Sequence, residues 1–289
     1  MRFSRVGCVG VALGAAALLS TASSALAQDG VSAAPATAAP AAKDVRPFNP
    51  KDFSGVWRGV LYGYGETVPE LTPEGKKRLD ANKPSYGIAV DDPQARTATN
   101  VHIGRRRAVP PAVNNDPVGR CNPLGLVRLL VYRPSPFEVI QVQNRLLQMF
   151  EWTWDHREIW TDGRKLPNVD DYLPRWNGYS VGRWEGDTFV VETVGLDERQ
   201  WLDHFGYPLS SKAKLQERWR RVDASTLEIQ MVLEDPTIYK TPYRSDRSLY
   251  KLVEGEVAPN VWNALVEDKC VPLDNDPFYA TAVKAAAGL

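Results

Sequence analysis

Alternate positions share a character with a period of two in the first part of residues 137–194, a polar loop follows and strand pattern resumes after it, and the rest of the chain is arranged around that stretch. Phe150, Trp152, Trp154, His156, Glu158 and Trp160 fall on alternate positions, so a strand sets all six on one face. Met149, Glu151, Thr153, Asp155, Arg157 and Ile159 take the other. A face of aromatic rings with one imidazole and one carboxylate is either a sheet core holding a buried pair or the wall of a ligand site.

The pattern predicts strands over residues 137–143, 146–154, 156–161, 178–184 and 188–194, then over 214–221, 226–234 and 248–253. Asn144-Arg145 and Trp184-Glu185-Gly186-Asp187 read as tight turns. Leu215, Glu217, Trp219 and Arg221 share one side of their strand, and Leu227, Ile229, Met231 and Leu233 share one side of the next. That alternation gives one apolar face and one wet face.

Earlier in the chain, Phe53 and Trp57 are expected in the core, with Gly55 allowing a close approach. Leu71-Thr72-Pro73-Glu74 starts a short helix ending near Asp80, capped by Thr72. Residues 82–120 lack periodicity and read as a lid or a meandering cover. Residues 126–132 are an apolar strand or a short helix. Eight to ten short strands joined mostly by tight turns predict an all-β fold, a single antiparallel up-and-down barrel. A short N-terminal helix and a long covering loop complete it, and a two-sheet sandwich is the alternative.

Composition sets the compartment. Arg2 and Arg5, the apolar run from Val9 to Leu19 and the Ala25-Leu26-Ala27 cleavage site make residues 1–27 a signal peptide. Residues 28–46 are an Ala/Pro-rich linker too poor in large apolar groups to order itself. Residues 47–289 then form a single β-barrel domain of about 240 residues. The chain is expected in the periplasm or secreted, and no apolar run is long enough for a transmembrane segment.

The 35 basic residues balance 35 acidic ones without a basic stripe, which excludes a nucleic-acid partner. Cys121 and Cys270 remain after processing, and an oxidising compartment favours a disulfide between them over a free thiol or an intermolecular pair.

Two histidine–carboxylate sets are candidates for proton transfer. His156 with Glu158 shares the aromatic face, and its alternative is a structural ion pair. Asp203 with His204 lies on a loop after the strand at 188–194, where Asp203 also suits a turn or cap. Trp152, Trp154, Trp160 and Trp201 are candidate ligand-binding rings, with Arg157 and Arg199 as anion-binding partners. No metal is expected. His102, His156 and His204 lack zinc spacing, and Asp170-Asp171 lacks a calcium ladder. No cofactor is expected, since the glycines at 182 and 186 precede no helix and no G-x-S-x-G elbow occurs.

Several blocks carry a resemblance: DFSGVW at 52–57, LTPEGKKR at 71–78, CNPLG at 121–125 and PFEVIQ at 136–141. WDHREIWTDGR at 154–164, SVGRWEGDTFVVETVG at 180–195 and WLDHFGYPLS at 201–210 extend it. The chain resembles a large family of exported bacterial proteins marked by the GRWEGDT block. That resemblance implies export and a lipocalin-like all-β barrel, and names no reaction. Members often carry histidine where this chain has Tyr179 and Leu209, a departure that favours a binder over an enzyme.

The expected function is an extracytoplasmic binding protein for a small apolar or aromatic ligand. The alternative is a cofactor-independent periplasmic isomerase, lyase or hydrolase using histidine–carboxylate acid–base chemistry. A structural envelope protein with a solid core is the third reading. Oligomeric state is not legible in the sequence.

Overall fold

Asp52 and Gly55 turn the chain into its first strand. Asp52 Oδ1 accepts from the Ser54 N–H at 2.9 Å, and Gly55 takes a φ of 122° that a side chain would resist. β1 (Gly55–Leu61) follows, with Trp57 fully buried and its indole N–H donating to the Phe53 carbonyl at 2.8 Å. The computed structural model describes residues 48–61, 68–84, 109, 113–132, 135–253 and 265–270. The expected signal peptide over 1–27, the linker over 28–46 and most of the covering loop over 82–120 lie outside the described residues.

The helix signalled by Thr72 and Pro73 forms as α1 (Pro73–Ala81), with Thr72 Oγ1 accepting from the Gly75 N–H at 3.0 Å. It lies between β1 and β2 (Phe137–Val142), so it is an insertion into the barrel sequence rather than an N-terminal helix. Residues 128–132 form a wide helical turn, which settles that segment as helix rather than strand.

The remaining strands are β3 (Arg145–Phe150), β4 (His156–Trp160), β5 (Tyr179–Glu185), β6 (Thr188–Val194), β7 (Lys214–Asp223) and β8 (Thr226–Glu234). β9 (Tyr243–Arg244) and β10 (Ser248–Leu252) end the series. Among the described residues β1 to β8 pair in chain order, and β10 pairs with both β8 and β1. Nine strands therefore close a barrel. β9 pairs with Val232 and Leu233 on β8, beyond the reach of β10.

The barrel is not the antiparallel up-and-down one that the sequence led us to expect. β4 and β5 run parallel, with Ile159 opposite Ser180 and Trp160 opposite Val181. A hairpin turn cannot join parallel neighbours; the chain must return to its starting end first. Residues 161–178 make that return across the outside of the barrel. The sequence marks them as a polar connection, but the direction of the next strand leaves no trace in the alternation.

Inward-facing rings fill the centre. Phe137 lies 5.9 Å from Phe150, 6.0 Å from Trp219 and 5.0 Å from Tyr250 between ring centroids. Phe53 stacks on Trp184 at 5.4 Å and meets Phe189 and Trp219. The GRWEGDT block is the β5–β6 hairpin. Gly182 gives its side-chain space to the Phe189 ring, since a Cβ there would lie 2.2 Å from that ring. Gly186 takes the left-handed turn position at φ 62°.

Cys121 and Cys270 form the expected disulfide, with Cα atoms 5.2 Å apart. It ties residues 265–270 against the loop joining β3 to β4. There the Thr153 N–H donates to the Asp268 carbonyl at 2.6 Å, and the Val266 N–H to Glu151 Oε2 at 3.1 Å.

Candidate functional site

A five-residue interruption between β3 and β4 decides which side chains face the interior. β3 ends at Phe150 and β4 begins at His156, while Thr153 and Trp154 take left-handed φ values of 54° and 55°. The period-two count does not survive that turn. Leu146, Gln148 and Phe150 face inward before it, and Arg157 and Ile159 face inward after it. His156, Glu158 and Trp160 therefore lie on the outer face. The six residues that the alternation groups together do not share one face.

Arg157 is spent inside the barrel. Its guanidinium donates two hydrogen bonds to Glu217, both 2.7 Å, and a third to Gln148 Oε1 at 2.8 Å. The Trp219 indole N–H completes the carboxylate's partners at 3.0 Å. A buried pair this well satisfied holds β4 to β7.

Outside the barrel, the parallel seam and its crossing loop enclose a cleft of about 560 Å³. His156, Glu158 and Trp160 of β4 and Tyr179 and Val181 of β5 form its floor, and Arg164, Lys165, Tyr172, Arg175 and Trp176 come from the loop. Guanidinium groups lie over its rings. Arg164 is 3.5 Å from the Trp160 ring centroid, Arg175 is 4.5 Å from Tyr179, and Arg199 is 4.9 Å from Trp176.

The loop's far end is held firmly. The Arg175 N–H donates to the Gly195 carbonyl at 2.9 Å, and the Arg175 carbonyl accepts from Asp197 N–H at 2.9 Å and Gly178 N–H at 3.1 Å. Gln200 Nε2 donates to the Trp176 carbonyl at 3.0 Å.

Charge in the cleft is unevenly matched. Arg164 is clamped on Asp162, whose carboxyl it holds below the usual range, and Glu158 is paired with Arg145. Among the described residues Lys165 and Arg175 have no carboxylate partner. An exposed guanidinium and an exposed ammonium beside flat rings suit a small planar anion.

Part of the lining is polar and buried. Asp155 Oδ1 accepts from the His156 N–H at 2.9 Å, and Asn177 Nδ2 donates to the His156 carbonyl at 3.0 Å. Asp155 Oδ2 and Asn177 Oδ1 are both shut from solvent. Burial pushes the Asp155 carboxyl above its ordinary range, against the opposing pull of hydrogen bonds from Asn177 and the His156 N–H.

The other expected site residues lie elsewhere. Trp152 packs partly buried against the core, and Trp154 is exposed beside Lys269. Trp201 is buried, and Arg199 chelates Asp197, touching the cleft only through Trp176. Asp203 is fully buried and Oδ1 accepts from the N–H groups of Phe205 and Tyr207 at 2.8 and 3.1 Å. His204 Nδ1 lies 2.9 Å from Arg128 Nη2, and since arginine only donates, that nitrogen accepts. Arg128 in turn grips Asp116 through two bonds of 2.9 and 3.1 Å.

So the fold brings His156, Glu158 and Trp160 together in the cleft and keeps Asp203 and His204 out of it. The sequence reading missed Lys165, Tyr172, Arg175, Trp176 and Asn177. Their signal was the run of cations and rings within an apparently plain polar connection.

A second outer cleft of about 580 Å³, lined by Glu192, Lys214, Gln216, Glu234 and Arg244 among others, has no aromatic ring. Among the described residues no three His, Cys, Asp or Glu side chains converge as metal ligands. No family model matches the chain, and no curated protein matches it. The closed barrel is consistent with a barrel-type family.

Proposed function

We propose that this chain is an extracytoplasmic binding protein for a small, planar, anionic molecule with an aromatic ring. The ligand lies in the outer cleft along the β4–β5 seam rather than in the barrel interior. The observation that carries this reading is the pairing of flat rings with cations that lack carboxylate partners. Trp160, Trp176 and Tyr179 offer ring surface, and Lys165 and Arg175 offer charge.

The interior supports the same placement, because its rings already touch one another and its ion pair is complete. The signal-peptide reading of residues 1–27 and the Cys121–Cys270 bridge support a periplasmic or secreted setting, with residues 47–289 as one barrel domain. No described helix is long and apolar enough to cross a membrane.

Calorimetric titration with benzoate tests the reading. Wild-type protein is expected to bind it, and Lys165→Ala with Arg175→Ala is expected to weaken binding by roughly tenfold or more. Equal binding by the double variant contradicts the placement.

One observation favours the enzyme alternative: His156 and the raised Asp155 carboxyl line the same cleft. A cofactor-independent isomerase, lyase or hydrolase returns a chemically altered ligand, and His156→Ala stops that change. A binder returns the ligand intact.

A further inference from the structure

Among the described residues, three that are not glycine take left-handed backbone angles, and all three line one small cleft. They are Cys121 at φ 58°, Thr153 at 54° and Trp154 at 55°. Cys270, Lys269, Pro123 and Asp155 complete the lining of this space of about 350 Å³. Left-handed angles are disfavoured wherever a residue carries a Cβ, and they persist only where the surroundings impose them. Here residues 265–270 impose two of the three. The Thr153 N–H donates to the Asp268 carbonyl at 2.6 Å, Trp152 and Asp268 form a parallel bridge, and the Val266 N–H donates to Glu151 Oε2 at 3.1 Å. The Cys121–Cys270 bond ties down the end of that strap.

The sulfurs can be reached. Both cysteines are half-buried and front the cleft. Lys269, whose ammonium lies 3.3 Å from the Glu267 carboxylate, lines the same space and favours a leaving thiolate. On its other side the turn runs straight into β4. The Phe150 N–H donates to the Asp155 carbonyl at 2.7 Å, and Asp155 and His156 line the candidate site on the β4–β5 seam. Asp155 thus belongs to both linings. The barrel does not need the strap for its closure, because β10 has already paired with β1 and β8 by Leu252.

We infer that the Cys121–Cys270 bond is a redox-operated clasp on the candidate site, opened by thiol–disulfide exchange with a dithiol. A thiolate of the dithiol attacks one sulfur and expels the other as a thiolate. The second thiol of the dithiol, once deprotonated, attacks the mixed disulfide, expels the remaining cysteine and closes the dithiol's own disulfide. Two electrons pass to the protein, and the two thiol protons end on Cys121 and Cys270. With the strap released, Thr153 and Trp154 leave the left-handed region, and the start of β4 shifts with Asp155 and His156. The consequence for a ligand rests on the binding reading above; the opening of the clasp does not.

The test treats the full mature chain with dithiothreitol in the absence of denaturant. Iodoacetamide alkylation read by mass counts the thiols, and nitrogen-15 NMR and benzoate calorimetry compare the oxidised and reduced forms. Both cysteines are expected to alkylate. The amide signals of Thr153, Asp155 and His156 are expected to shift, while the indole signals of Trp57 and Trp219 stay in place. Benzoate affinity is expected to fall by roughly fivefold or more and to return on reoxidation.

A bond that resists dithiothreitol until the barrel unfolds, or a chain that unfolds on losing it, overturns the clasp. So does a reduced, folded chain whose signals at 153–156 are unmoved. Signals that move while benzoate affinity stays the same overturn the control of the site. If the oxidised chain does not bind benzoate, the binding reading falls, and the signals at 153–156 alone decide the clasp.

Discussion

Arg157 and Glu217 meet inside the barrel through two parallel hydrogen bonds of 2.7 Å, with both side chains withdrawn from water. They stand on β4 and β7, strands that are not neighbours in the sheet. The pair therefore spans the interior and fixes the inward phase of β4. That phase sends His156, Glu158 and Trp160 outward to the cleft. Removing one partner leaves a buried charge uncompensated, at a cost of about 3–5 kcal/mol. Arg157→Met or Glu217→Leu alone is expected to lose about that much in urea denaturation. Combining the two is expected to recover a large part of the loss. Additive losses would show that the two groups act independently.

The disulfide holds a strained turn in place. Thr153 and Trp154 occupy the left-handed region, at roughly 1–2 kcal/mol per residue. The strap containing Cys270 bonds that turn through Thr153 and Asp268. Cys121→Ser with Cys270→Ser is expected to lower stability by about 2–4 kcal/mol. The local signature is faster hydrogen exchange at the Thr153 amide under native conditions. Unchanged exchange there would mean that the strap does not hold the turn.

Gly182 seats the Phe189 ring beneath the GRWEGDT hairpin. A methyl group at that position meets the ring at 2.2 Å, and Ile159 bounds the other side at 3.0 Å. Overpacking of this kind costs typically 1–3 kcal/mol. Gly182→Ala is expected to fall in that range by thermal unfolding, and Gly182→Ala with Phe189→Leu to recover part of it. The motif thus has a packing explanation independent of any ligand.

Stability should rise at mildly acid pH through Asp155. Its carboxyl is pushed up in the folded chain, mainly by burial, so the folded state holds its proton more tightly than the unfolded chain does. Stability from this group is greatest below the unfolded value of about 4 and falls as pH rises through the raised folded value. Asp235, also raised by burial, acts in the same direction. Asp155→Asn removes the buried charge and is expected to raise stability at neutral pH. Melting curves at pH 7 and pH 4 check this, since the gain should shrink at the lower pH. A constant difference would assign the effect to packing rather than to charge.

Much of the barrel was legible because its strands are half buried and alternate cleanly. Leu215, Glu217 and Trp219 on β7, and Leu227, Ile229, Met231 and Leu233 on β8, all face inward as their pattern requires. Thr72 caps α1 through the bond that its position predicts. The alternation failed between Phe150 and His156, where two non-glycine residues enter a left-handed turn and reset the phase. Nothing in Thr153 or Trp154 announces that conformation; contacts to residues 265–270 hold it. The parallel step from β4 to β5 was hidden for a related reason. Strand direction depends on where a connection lands, and Arg175 is placed by backbone bonds to residues 195 and 197 that sequence spacing does not disclose. His156, Glu158 and Trp160 were picked out as site residues, but the loop that makes a site around them was read as a connection.

The proposed ligand site lies outside the barrel, on the β4–β5 seam. Its most direct test is the set of tryptophan indole N–H signals in a nitrogen-15 NMR titration with benzoate. Trp160 and Trp176 line the cleft, whereas Trp57 and Trp219 are buried in the core. The Trp160 and Trp176 signals are expected to move together along one binding curve while those of Trp57 and Trp219 stay fixed. Shifts at Trp57 and Trp219 with Trp160 and Trp176 unmoved would place the ligand in the interior and contradict it.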